Sequence, residues 1–267
     1  MTDKMIGRNR TAEIFGTKFE IVDDGLLTGE YNMEFDFRRT MAVAEGKEIP
    51  MFRFYGWKPW AVSLGANQNE DSIDKNKCLE HGVDIVRRPT GGRAVLHADE
   101  LTYSVVMPVS ENSNVHKIYK QIHSILLEGL KLSGASELEF VQSQKDFSEF
   151  YKNSPMSVSC FASSARYEIS WQGKKIVGSA QRLFGRTLLQ HGSILLGTGH
   201  ELLGELTAGK SDDEKRILLN YIRKHSVSLE EICNRKIGFE ECKKNMLKAV
   251  GIYFEIQKKS QEIKTEK

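Results

Sequence analysis

Apolar and polar positions change period along the chain, and the changes divide it into elements. KFEIV (residues 18–22) alternates as an edge strand does and breaks at Asp23-Asp24-Gly25. From residue 30 to 45 the spacing lengthens. Met33, Phe37, Met41 and Ala44 recur at three to four residues, the stripe of an amphipathic helix that Gly46 ends and Pro50 keeps from continuing. Two short apolar runs, residues 51–55 and 60–64, are split by Gly56 and Pro59 and suit adjacent strands. Residues 71–81 read as a short helix carrying Cys78, with Gly82 as its stop. A strand, an exposed loop and a second strand then follow over residues 84–109, DIVRRPTGGRAVLHADELTYSVVMPV.

The clearest helix is predicted over residues 114–134. Ile118, Ile122, Ile125, Leu126 and Leu130 make its stripe, Asn114 caps it and Gly134 ends it. His116 and His123 lie one position off the stripe and read as surface or boundary residues. Residues 143–155 are polar and aperiodic, a loop. Period two returns at Tyr167, Ile169 and Trp171. Turns at Gln172-Gly173 and Phe184-Gly185 then predict an antiparallel meander through residues 175–180 and 188–196. Beyond Asp212 the pattern is helical, over Ile217 to Ile222, residues 229–232 and 239–250, with a charged, frayed tail.

Composition narrows the class. At 267 residues, 40% hydrophobic and 28% charged, the chain is an ordinary globular protein able to bury a sizeable core. A net charge of +2 lacks the basic excess of a nucleic-acid binder. MTDKMIGRNR has no apolar core behind it, and no window approaches the roughly 18 apolar residues of a membrane span, so a cytoplasmic protein without a membrane partner is expected. Cys78, Cys160, Cys233 and Cys242 show no CxxC pair, which indicates neither a zinc site nor a disulfide framework.

Several stretches offer chemistry. Gly91 and Gly92 allow close backbone approach, and Arg87, Arg88 and Arg93 bring fixed positive charge to one loop, either a ligand cradle or a solvated basic tip. In SLGANQ (residues 63–68) Gly65 permits a tight turn. Lys175, ahead of the small Gly178 and Ser179, is either a solvated strand lysine or a cation that polarises a carbonyl. Cys160, in SVSCFASSARYE, is either a structural thiol or a nucleophile. An unperturbed imidazole suits proton transfer, which makes His97 and His191 candidate bases, but the QHG context suggests instead that His191 fixes its strand and helps wall the pocket. GELTAGKS (residues 204–211) has the spacing of a phosphate-binding loop, but HELL before it is more helix-like than strand, which argues against one.

RRPTGGRAVLH followed by ELTYSV resembles the signature of the biotin/lipoate ligase and octanoyltransferase superfamily. YNMEFD (residues 31–36), SLGANQ, KKIVGSAQR (residues 174–182) and LLQHGSILL (residues 188–196) match further pieces in the same order. The resemblance implies an α+β fold: a central, mostly antiparallel sheet flanked by helices, with a catalytic domain over residues 1–203 and a small helical segment over 204–267 packed on it. It also implies a substrate site built from Arg88, Thr90, Gly91, Gly92, Arg93, His97, Gly178, Ser179, Ala180, Gln190, His191 and Gly192.

Within the superfamily, GGR, ELTYSV, GSAQ and a Cys-Phe pair 15 residues before the lysine of KxxGSAQ resemble the octanoyltransferases more than the ligases; Cys160 and Lys175 have that spacing. That branch implies Cys160 as thioester-forming nucleophile and Lys175 as its activating cation. Octanoyl-acyl carrier protein would be the donor and a lipoyl domain or glycine cleavage H protein the acceptor, with no ATP, metal or other cofactor. The alternatives are an ATP-dependent lipoate-protein ligase, whose larger accessory domain the short tail does not suit, an amidotransferase between lipoyl-bearing proteins, and a noncatalytic acyl-binding regulator. Related sequences place Asp directly after the histidine that is His97 here; Ala98-Asp99 departs from this and weakens a role for Asp99.

Overall fold

Strand alternation and helix periodicity assemble into an α+β fold in the computed structural model, which describes residues 10–14, 17–111, 113–142 and 167–265. Residues 143–155 and Cys160 lie outside that range. A six-stranded sheet runs β1 (Arg10–Ile14), β2 (Thr17–Leu27), β3 (Met51–Trp57), β7 (Glu100–Pro108), β12 (Thr187–Leu195) and β11 (Val177–Phe184), in that spatial order. All its pairs are antiparallel except β2 with β3, which α1 (Gly29–Ala44) connects as the crossover that parallel strands require. A small sheet places β4 (Ala61–Leu64) between β5 (Asp84–Arg87) and β6 (Val95–His97), with α2 (Lys75–Glu80) linking the parallel pair β4 and β5. The third sheet holds β8 (Glu139–Gln142), β9 (Tyr167–Trp171) and β10 (Lys174–Lys175).

The pleat sorts the central sheet's side chains. Leu101, Tyr103, Val105 and Met107 join Phe19, Phe52 and Phe54 in the main core against Ile122, Leu126 and Leu130 of α3 (Val115–Leu132). Cys242, Met246 and Val250 of α7 (Phe239–Thr265) close the same core. Gly129 makes that approach possible, since a Cβ there would stand 2.3 Å from Met246 Sδ. The alternate residues Thr102, Ser104 and Val106 face α1, opposite Tyr55, Arg53 and Met51. The remaining helices are α4 (Leu203–Leu206), α5 (Asp212–His225) and α6 (Leu229–Cys233). Asn114 caps α3 as expected, and Ser211 with Glu214 forms a capping box on α5. No helix among the described residues is long and apolar enough to cross a membrane.

Several expectations are corrected. β2 is not an edge strand, because β1 covers it, and it continues past Asp23-Asp24-Gly25 through a register shift instead of ending there. The acidic pair is tolerated because Arg53 binds Asp24 at 2.8 Å and Lys243 binds Asp23 at 2.9 Å. Helix α1 buries a polar face, Asn32, Asp36, Arg39 and Thr40, while Phe37 and Met41 of the predicted stripe stand 43% and 38% exposed. The two runs at residues 51–64 enter different sheets. Of the strand, loop and strand expected over residues 84–109, the loop holds a further short strand, β6, and the second strand, β7, enters the six-stranded sheet instead of pairing with β5. The meander is also split: β9 and β10 turn at Gln172-Gly173, both at positive φ, and the chain changes sheet before β11. Gly204 of GELTAGKS sits in α4, after the 3-10 turn Gly199–Leu202, so no strand delivers a phosphate loop there.

Candidate active site

The β4–β5–β6 sheet leans its TGGR loop against the α1 side of β12 and β11, leaving a cleft of about 420 Å³ of atom-free space, partly open to solvent. Of the residues the resemblance implies, Arg88, His97, Gly178, Ser179, Ala180, His191 and Gly192 line it; Met33, Ser63, Val95, Thr102 and Ser193, from the same motif strings, and Tyr55 and Trp57, from outside them, complete the lining. Gly178 and Gly192 leave the strand backbones bare. A Cβ on Gly192 would strike Gly178 O at 2.3 Å.

The loop is not an exposed basic tip. Arg88 is 4% exposed and its guanidinium donates to Ser63 O at 2.8 Å, Gly91 O at 2.9 Å and Arg93 O at 2.7 Å. Arg87 donates to Gly65 O and Gln68 O and pairs with Glu70. The carbonyl-rich partner these arginines meet is thus the protein's own backbone, and the pair braces the loop. SLGANQ and TGGR interlock directly: Ala66 N–H donates to Thr90 O at 2.9 Å, and a Cβ on Gly65 would lie 2.0 Å from Gly92 O. Gly92 itself has φ +100°, whereas a Cβ on Gly91 meets nothing within 4 Å. Gly65→Ala is therefore expected to unseat the loop and lower turnover by about a hundredfold, the scale of an ångström's misplacement. Gly91→Ala should retain turnover, and steady-state rates of the two variants check the contrast.

His97 is oriented by Glu100, which motif reading passed over inside ELTYSV. His97 Nδ1 lies 2.7 Å from Glu100 Oε1, its Nε2 lies 2.7 Å from Ser63 Oγ, and Trp57 stacks on the ring at 3.9 Å. Thr102 and Ser193 also donate to Glu100 Oε1, at 2.5 and 3.0 Å. Held at both ring nitrogens and stacked on Trp57, His97 is a strut of the cleft wall.

His191 is held between Thr90 Oγ1, 2.6 Å from its Nε2, and Asp36 Oδ2, 3.7 Å from its Nδ1. Burial pushes the His191 pKa down although Asp36 opposes the shift. Asp36 is the hub: Arg53 Nη1 at 2.9 Å, Tyr55 OH at 3.0 Å and Ser104 Oγ at 2.8 Å all donate to it. Burial alone would raise its carboxyl, but His191, Arg53 and Ser104 outweigh that and hold it below the usual range.

Lys175 does not line the cleft. It is 6% exposed, and its Nζ donates to Glu168 Oε1 at 2.6 Å. Beside it, His123 of α3 is fully buried, which corrects its reading as a surface residue; its Nδ1 donates to Tyr119 O at 2.9 Å and its Nε2 meets Ser179 Oγ at 3.1 Å. Ser179 Oγ also lies 2.7 Å from Tyr103 OH, to which Gln190 Nε2 donates at 2.9 Å. Gln190 therefore supports the site from the α3 face of the sheet. Burial lowers the His123 pKa to about 4, with Lys175 adding repulsion. The unfolded chain then binds a proton that the native state refuses between about pH 6.5 and 4, so stability falls as pH drops through that window, by on the order of 3 kcal/mol. An imidazole resonance of His123 that titrates near 6.5 in the folded protein would contradict this.

The described thiols are poor nucleophiles, since burial pushes Cys78 up to about 11 and Cys242 up to about 12. No group of three or more His, Cys, Asp or Glu placed to hold a metal ion occurs among the described residues.

A sheet-and-helix fold with a glycine-lined cleft between the six-stranded sheet and the β4–β5–β6 sheet defines a class. The pattern of the lipoyl protein ligase A/B catalytic domain matches residues 28–251, and the chain belongs to that family. Among curated relatives, it is 36% identical over 234 residues to the octanoyltransferase LipM of Geobacillus kaustophilus, covering 86% of this chain and 84% of that one. It is 34% identical over 245 residues to the octanoyltransferase LipM of Clostridioides difficile, covering 90% and 88%. Among solved structures, the bipartite lipoate protein ligase of Thermoplasma acidophilum superposes with a TM-score of 0.64 at 18% identity, covering 87% of this chain and 83% of that one. Lipoate-protein ligase A bound with ATP gives 0.62 at 19% identity, covering 87% and 85%, a likeness of fold.

Proposed function

We propose that this chain is an octanoyltransferase that moves an octanoyl group from acyl carrier protein to a lysine of a lipoyl domain or glycine cleavage H protein. The Cys160 thiolate attacks the thioester carbonyl and the carrier thiol departs with a proton. The acceptor amine then forms the C–N bond as the C–S bond breaks, and one amine proton ends on Cys160. Exchange between thioesters is nearly neutral and amide formation runs downhill, so the sequence needs no ATP. Lys175, outside the residues that line the cleft and with its Nζ on Glu168, is the cation this reading assigns to the thiol and to the developing oxyanion. Arg88, Thr90, Gly91, Gly92, Arg93, His97, Gly178, Ser179, Ala180, Gln190, His191 and Gly192 form or brace the acyl site. Burial of the chain in the cleft contributes about 0.8 kcal/mol per methylene.

Residues 1–203 are the catalytic domain in this reading, with residues 204–267 a helical segment packed on it; the seating of α7 against α3 supports this. The observation that carries the proposal is a Cys-Phe pair 15 residues before the KxxGSAQ lysine, in a chain 36% identical to an octanoyltransferase over 234 residues. The test is intact mass after incubation with octanoyl carrier protein and no ATP. An octanoyl adduct is expected; activity seen only with ATP and free lipoate would establish a ligase instead.

A further inference from the structure

Beyond the cleft lies a second, wider groove between α1 and β5, with Phe37, Ile85, Val86 and Pro89 as its apolar lining and Glu30, Glu34, Asp84 and Arg87 as its charged lining, and about 1410 Å³ of space open to solvent. Two side chains line both spaces, Arg88 and Met33. Arg88 is pinned by hydrogen bonds to three backbone carbonyls. Met33 is 6% exposed and belongs to one apolar cluster with Tyr55 and Trp57, which line the cleft, and Val86, which lines the groove. A thioether held only by apolar contacts is the removable part of this wall.

Resting on the acyl-transfer reading above, we infer that Met33 is the partition that closes the acyl cleft and sets the length of chain it accepts. An octanoyl group ends against this side chain; longer chains must displace it. Truncation joins the cleft to the apolar side of the groove, where further methylenes leave water, each strengthening binding by about fourfold. Enlargement has the opposite sense, filling the end of the cleft.

The experiment offers the enzyme an equimolar mixture of hexanoyl, octanoyl and dodecanoyl carrier protein and weighs the intact acyl-enzymes formed. For the unaltered protein the octanoyl adduct should dominate. In Met33→Ala the dodecanoyl-to-octanoyl ratio should rise at least about tenfold, the worth of two buried methylenes. In Met33→Phe the hexanoyl-to-octanoyl ratio should rise. Because ratios are read within one sample, a lower yield of folded variant does not alter them. An unchanged ratio in both variants overturns the assignment and leaves the acyl-transfer reading standing. Absence of any adduct on the unaltered protein overturns both.

Discussion

Replacing Cys160 with serine is expected to abolish the octanoyl adduct and reduce transfer to background. A hydroxyl of similar size lacks the acidity to form an anion near neutral pH, where a thiol beside a cation is substantially ionised. Among the described residues no other thiol is a ready substitute, because burial raises the pKa values of Cys78, Cys233 and Cys242. Cys160→Ser should therefore show unaltered thermal unfolding and no mass increase with octanoyl carrier protein. Retained turnover would remove the thioester intermediate from the mechanism. Lys175→Met is a useful companion, since it leaves the thiol in place and tests the charge alone; slow acylation that recovers as pH rises is its expected signature.

Removing the Asp36 carboxylate should produce the largest loss of stability. Arg53 is 0% exposed, and without Asp36 its remaining carboxylate partner is Asp24, at 2.8 Å and 20% exposed. Breaking a buried pair by deleting one member costs about 3–5 kcal/mol, because the surviving charge stays out of water. Tyr55 and Ser104 lose their acceptor in the same step, and His191 loses the negative charge beside Nδ1. Asp36→Ala should thus lower the urea midpoint sharply and also weaken acyl transfer through His191 and Thr90. The pH dependence has a definite sign. A depressed carboxyl stabilises the fold above the unfolded value of about 3.9, and that contribution is lost as pH falls through the folded value. An Asp36→Ala variant with an unchanged midpoint would refute the hub assignment.

Helix capping and turn chemistry were legible in the chain because they are local. Asn114, Gly134, Gly82 and Gln172-Gly173 act through groups a few residues away, so composition at those positions was enough. The motif strings marked most of the cleft for a related reason: GSAQ and QHG describe backbone that must stay bare, where Gly178 meets Gly192, and TGGR describes backbone that must bend, at Gly92 against Gly65. Asp36 and Glu100 escaped notice although both stand inside quoted motifs, because nothing local distinguishes a buried carboxylate from a solvated one.

Periodicity in the sequence by itself determined where most strands and helices lie, β1 and β8 excepted, and which residues share a face. Only the tertiary structure decided which face is inside and which strands meet. Helix α1 turns Asp36 inward and Phe37 outward because Arg53, distant in sequence, is buried opposite and must be neutralised, and Arg39 is held inward by Glu20 and Glu48. His123 becomes an interior residue because Ser179 and the Tyr119 carbonyl satisfy both its nitrogens. β4 separates β5 from β6 because strand pairing is settled by hydrogen bonds across the assembled sheet, whose partners no local pattern encodes.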